Sequence, residues 1–201
     1  MKILGIDEVG YGCWAGDLVV CGVISENNWS INGLNDSKKL SKPKREKLNN
    51  LLQIEVRNKN ISHFMVRKSS NDIDKYGLGV CHKQAYAEVI KELSTNDCEI
   101  ILDGNLKING FDDKNIKSVI KADSKYSQVM AASILAKVFR DNLMIDLSKQ
   151  YPNYHWDSNV GYINKEHIDA VNKFGYSPYH RQSYNVKDCL INKSSTQLVL
   201  I

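Results

Sequence analysis

Four acids in this chain stand where carboxylates can work together. Asp7 and Glu8 are adjacent in KILGIDE, Asp103 lies near the end of CEIILDG, and Asp123 closes IKSVIKAD. Each stretch reads as a strand, and in an α/β sheet the strand ends and the loops after them line the functional crevice. Carboxylates gathered there repel one another and raise one another's pKa unless cations neutralise them. Mg²⁺ and Mn²⁺ favour such hard oxygen ligands, which makes the four acids a candidate metal site. Adjacent strand residues point to opposite faces, so Asp7 and Glu8 share a site only if the strand ends there, as Gly10 and Gly12 allow. Acids at strand ends are also ordinary solvated caps, and spacing alone leaves both readings open.

Other chemistries fit less well. No serine or cysteine sits in a nucleophile motif. The glycines of GYGCWAG fall at 10, 12 and 16, one position late for the dinucleotide fingerprint G-x-G-x-x-G. Five scattered cysteines without a C-x-x-C pair exclude a disulfide framework and a structural zinc site. A net charge of +4 says little about partners. With no basic start before an apolar run and no long apolar segment, a cytoplasmic protein that does not enter a membrane is expected.

The elements that must position the acids follow from periodicity. Strands are predicted at KILGIDE, at 17–25, at 61–68, at 98–104 and at 116–123. Residues 41–56 read as a helix with Ser41 at its N-cap, 73–93 as a turn and a helix, and 163–175 as a helix stopped by Gly175. YSQVMAASILAKVFRDNLMIDL (126–147) is apolar around much of its circumference and is therefore expected to be central. Strands that first pair in order and then alternate with helices give an α/β class with a mixed sheet.

The opening stretch resembles the ribonuclease HII signature G-x-D-E-A-G-R-G. NDSKKLS (35–41), ILDG (101–104), KAD followed by AASILAKVFRD (121–141), YPNY (151–154), GY (161–162) and SPYHRQSY (177–184) follow in the family's order. The resemblance runs from about residue 3 to about 185. It implies a ribonuclease H-like fold, with a mixed central sheet flanked by helices and a small helical C-terminal portion. The expected division is a catalytic domain at 1–150, a portion completing the substrate site at 151–190, and a tail at 191–201. It implies that Asp7, Glu8, Asp103 and Asp123 are the catalytic carboxylates and hold two Mg²⁺ or Mn²⁺ ions. The implied reaction is hydrolysis of RNA in RNA/DNA hybrids and cleavage 5′ of ribonucleotides embedded in duplex DNA, leaving a 3′-hydroxyl and a 5′-phosphate.

The same resemblance makes Gly10, Tyr11 and Gly12 the segment that meets the ribonucleotide 2′-hydroxyl. It makes Lys38 and Lys39 substrate contacts, and Tyr162 the ring that packs on the sugar beyond the ribonucleotide. His180 and Arg181 match a further family motif and are counted with the substrate-binding set, as contacts or as supports. Lys42, Lys44, Arg45 and Lys47 extend the basic cluster, with a solvated lysine-rich face as the plainer reading. Tyr11 stands where the family carries arginine, replacing a rigid donor fork with one hydroxyl and a stacking face. Cys13 and Asp17 replace family prolines, and an anionic Asp17 has to point away from phosphates. The departures bear on junction preference more than on catalysis. A hybrid nuclease without junction preference and a non-catalytic hybrid-binding protein are the alternatives. Gln197 to Ile201 resembles a sliding-clamp docking peptide, and a monomer is expected.

Overall fold

The computed structural model describes residues 1–108 and 115–190. Five strands, β1 (Lys2–Val9), β2 (Leu18–Glu26), β3 (Ile61–Lys68), β4 (Cys98–Asp103) and β5 (Ile116–Val119), form one sheet in the order β3-β2-β1-β4-β5. β1 pairs antiparallel with β2, and β2 with β3; β4 joins β1 in parallel, and β5 joins β4 in parallel. The sheet is mixed, and the class is α/β.

The strands are apolar on both faces because helices cover both. Leu4, Ile6, Leu18, Val20 and Ile24 pack with Cys81, Ala85, Tyr86, Val89 and Ile90 of α3 (Leu78–Leu93). Val19, Cys21 and Val23 face the other way, onto Ala131, Ala132, Ile134 and Leu135 of α4 (Ser127–Gln150) and Leu48 and Leu52 of α1 (Lys42–Arg57). Gly5 allows close packing on the α4 side, where an added Cβ would lie 2.4 Å from the Val129 nitrogen. Odd-numbered residues of β1 therefore face α4, and even-numbered ones face α3.

α4 begins under the sheet, and its C-terminal half joins a second core. There Met144 and Leu147 pack with Trp14, Ala15, Tyr154, Trp156, Ala170 and Val171. Two helices, α5 (Trp156–Asn159) and α6 (Lys165–Phe174), belong to this C-terminal portion.

Two sequence expectations change. Residues 73–93 hold two helices, α2 (Ser70–Tyr76) and α3, because Ser69 and Asp72 build a capping box and Gly77 breaks the helix at φ 85°. The strand predicted to 123 stops at Val119, since β5 pairs with β4 only over Ile116–Val119 and Lys121 takes a left-handed φ of 59°. Asp123 accordingly sits in a 3-10 turn, Ala122–Ser124, at the entrance to α4.

Candidate active site

Asp7 and Glu8 do not leave β1 together. The strand continues past both acids to Val9, in register with Val19 of β2, so it does not end at Asp7 and Glu8 as their sharing one face required, and the two acids emerge on opposite faces. Asp7 faces α4, where Ser133 favours its charged form, and its Oδ1 accepts the Glu8 N–H at 2.8 Å. Ile6 pairs with Leu102 in the parallel β1–β4 ladder, so Asp103 follows beside Asp7. Asp103 Oδ1 accepts the Ala122 N–H at 2.7 Å, which ties β4 to the turn carrying Asp123. Three carboxylates thus gather on the α4 face at the tip of the sheet, with Glu8 on the far side of β1.

Their protonation reflects burial first and neighbouring charge second. Burial raises Asp7 to about 7, and the charge of Glu8 adds to it. Asp123 is raised by burial and then by Asp103 and Asp36, against the pull of Lys38 and Lys39. Burial would also raise Glu8, but His82, Tyr86 and the charge of Lys38 outweigh it and hold Glu8 below its ordinary value. As placed, no three His, Cys, Asp or Glu side chains among the described residues converge on one ion position. The donor chemistry nevertheless suits a hard cation: every group is a carboxylate, and positive charge relieves the cost of ionising Asp7.

Lys38 and Lys39 lie on the loop after β2 and are exposed. Ser37 anchors them, its buried hydroxyl 2.7 Å from that of Ser133 on α4. Arg45 donates to the carbonyls of Ser37 and Leu40. It braces the lysine loop instead of facing a substrate with its neighbours.

Two buried arginines hold the GYG segment and the backbone around it. Arg140 of α4 donates to the carbonyls of Asp17, Val160 and Ala15. Arg181 donates to those of Gly10, Tyr11 and Gly16 and to the Tyr184 hydroxyl. Arg181 and His180 are essentially sealed from solvent, at 0% and 1% exposure. Of their two expected places, contacts or supports, the internal one fits: the guanidinium protons of Arg181 and the imidazole nitrogens of His180 are spent within the protein.

His180 Nδ1 accepts the Ser177 N–H at 2.9 Å, so its Nε2 carries the proton and donates to His167 Nε2 at 2.9 Å. His167 in turn offers Nδ1–H to the Tyr162 carbonyl at 2.9 Å. Burial, with His167 beside it, lowers His180 to about 3, so both rings are neutral and the chain of bonds has one direction. Trp14 and Ala15 donate from their backbone to the Gly161 carbonyl, placing the GYG and GY loops side by side. Tyr11 and Tyr162 are each 43% exposed, which leaves both rings open to a ligand. Lys137 stands 5.8 Å from the Tyr162 ring.

The glycines differ in purpose. Gly10 has φ 85°, and an added Cβ would lie 2.3 Å from Arg140 Nε. Gly12 has nothing within 4 Å of that position and is the one that leaves room for a ligand backbone. Asp17 is buried and turned away, its Oδ2 bound by Arg67 Nε and Nη2 at 2.7 Å each.

Sequence reading did not single out Arg140, His82 or Tyr86. Arg140 lies inside the quoted AASILAKVFRD, and His82 and Tyr86 are spaced i, i+4 on α3. That spacing is the only local signal for either.

The chain matches the "Ribonuclease HII" family profile over residues 4–187. It is 42% identical to a ribonuclease HII of Helicobacter pylori strain P12 over 196 residues, covering 94% of each chain. It is 43% identical to one of Aliarcobacter butzleri, covering 92% of each. Its fold is similar to that of the ribonuclease HII solved in complex with PCNA from Archaeoglobus fulgidus (TM-score 0.74, 24% identity, 93% and 96% of the two chains). It is also similar to Bst-RNase HIII solved with Mn²⁺ (TM-score 0.65, 18% identity, 86% and 61%). Together with the ordered motifs, these matches show that the chain belongs to the ribonuclease HII family and is a ribonuclease H.

Proposed function

We propose that this enzyme hydrolyses the RNA strand of RNA/DNA hybrids and cuts 5′ of ribonucleotides embedded in duplex DNA, leaving 3′-hydroxyl and 5′-phosphate ends. The observation that carries the reading is the crowding of Asp7, Asp103 and Asp123 on one face, with Asp7 raised to about 7, beside exposed Lys38 and Lys39. Asp7, Glu8, Asp103 and Asp123 would hold Mg²⁺ or Mn²⁺, two ions in the active state; that Bst-RNase HIII was solved in complex with Mn²⁺ supports a divalent metal here. Such ions supply an activated water and charge neutralisation at phosphorus.

The protein's own residues supply position. Lys38 and Lys39 meet phosphates without reading sequence. Gly12 leaves backbone access to a 2′-hydroxyl, the group that separates RNA from DNA. Tyr162 offers its exposed ring to the neighbouring sugar, and Arg140, Arg181, His167 and His180 hold the loops carrying both readers. In this reading residues 1–150 form the catalytic domain and 151–190 complete the substrate site. Residues 197–201, offered as a sliding-clamp peptide, lie outside the described residues; the Archaeoglobus complex with PCNA is the support for that part.

One observation favours a second reading, hybrid cleavage without junction preference. The Tyr11 ring leans edge-on against His82 at 4.9 Å and presents no guanidinium fork. The test uses a duplex with one ribonucleotide and a continuous RNA/DNA hybrid, each with Mg²⁺, Mn²⁺ or chelator. Cutting of both, metal-dependent and 5′ of the lone ribonucleotide, supports the first reading. Cutting of the hybrid alone supports the second. Asp103→Asn is expected to abolish cleavage and retain duplex binding, and normal cleavage by it refutes the carboxylate assignment.

A further inference from the structure

On the α3 side of β1, Glu8 meets two side chains one helical turn apart. The Tyr86 hydroxyl donates a short hydrogen bond to Glu8 Oε2, and His82 Nε2 lies 3.5 Å from the same oxygen. His82 Nε2 is enclosed and makes no hydrogen bond, so the ring meets Glu8 and Tyr86 by packing. Tyr86 is fully buried among Leu4, Ile6, Val89 and Ile90, which fixes where its hydroxyl stands. The His82 ring is wedged edge-on between two tyrosines, 4.8 Å from Tyr86 and 4.9 Å from Tyr11.

A carboxylate with one oxygen engaged presents the other in a defined direction. Outer-shell partners of this kind orient a ligand and keep it ionised. We infer that Tyr86 and His82 are positioning residues for Glu8: Tyr86 engages Oε2 and leaves Oε1 to face a divalent cation, while His82 backs the pair and joins it to Tyr11. The inference rests on the metal-binding reading of Glu8. It adds that the residue standing in the family's arginine position is the outer end of a stack whose inner end is a metal ligand. That stack supports Glu8 where the strand itself cannot, because β1 turns Glu8 away from the other three acids.

Calorimetric titration of Mn²⁺ into metal-stripped protein tests this directly. Tyr86→Phe keeps the buried ring and removes only the hydroxyl. It is expected to weaken Mn²⁺ binding about tenfold, the lower end of outer-shell effects. His82→Phe keeps the ring contacts, removes the nitrogens, and is expected to weaken Mn²⁺ in the same direction by less; it serves as the test should Tyr86→Phe not fold. A purely structural Tyr86 would lower the melting temperature in chelator and leave Mn²⁺ affinity at the wild-type value, which overturns the inference. Tighter binding also overturns it, since Tyr86 would then be competing with the ion. No Mn²⁺ uptake by the wild type overturns the metal reading and this inference with it.

Discussion

Asp7→Asn separates the energetics of the site from its chemistry. Asp7 is 5% exposed, and burial moves its carboxyl from an ordinary 3.8 to about 7. That is about three units, which at about 1.4 kcal/mol each gives a folding penalty of up to about 4 kcal/mol once the group is ionised. The folded form holds its proton more tightly than the unfolded form. Stability is therefore fully present below pH 3.8 and is lost as pH rises towards about 7. Asparagine removes the titration while keeping an oxygen for the Glu8 N–H. Urea denaturation in chelator at pH 4, 6 and 8 is the assay. The variant is expected to match the wild type at pH 4 and to exceed it increasingly above, by up to about 4 kcal/mol at pH 8. Mg²⁺ at pH 8 should restore stability to the wild type far more than to the variant. Stabilities that run parallel across the range would refute the reasoning, because Asp7 would then ionise as easily as in the unfolded chain.

Gly10→Ala and Gly12→Ala should part company. The first puts a Cβ against Arg140 at a positive φ and is expected to cost several kcal/mol in a urea melt. The second has open space and should leave the melt within about 1 kcal/mol while raising the KM for a hybrid; equal melts would refute the division of labour. Proton NMR should find the His180 imidazole neutral throughout pH 5 to 8, with stability falling below pH 6.5 as the unfolded histidine takes up its proton. A His180 midpoint near 6.5 would undo the directed chain of bonds to Tyr162.

Much of the scaffold was legible in the sequence because it depends on local pattern. The strand over 61–68 was read with its observed bounds, and the apolar run of 126–147 forms, from Ser127 on, a helix buried on several sides. Asp123 was misplaced because IKSVIKAD keeps a strand-like pattern past the point where β5 loses its partner. The opposite facing of Asp7 and Glu8 follows from where β1 stops, and ladder pairing decides that. Arg181 sits in the polar run HRQS, which reads as surface. Its partners are carbonyls 165 to 171 residues earlier, and no side-chain pattern announces a carbonyl. Tyr86 was hidden for the same reason, since its hydroxyl meets an acid 78 residues away.

The span of the Arg181 bonds also orders events in time. Of the four acids a ribosome makes Asp7 and Glu8 before the other two, and the strands and α4 that seat the acids all precede residue 151. The GYG segment, made alongside Asp7 and Glu8, waits for a guanidinium synthesised 171 residues later. A nascent or prematurely ended chain would carry its acids without a fastened reader. Fastening of the reader is thus tied to synthesis of the chain through Arg181 and Tyr184, well after the acids themselves are made.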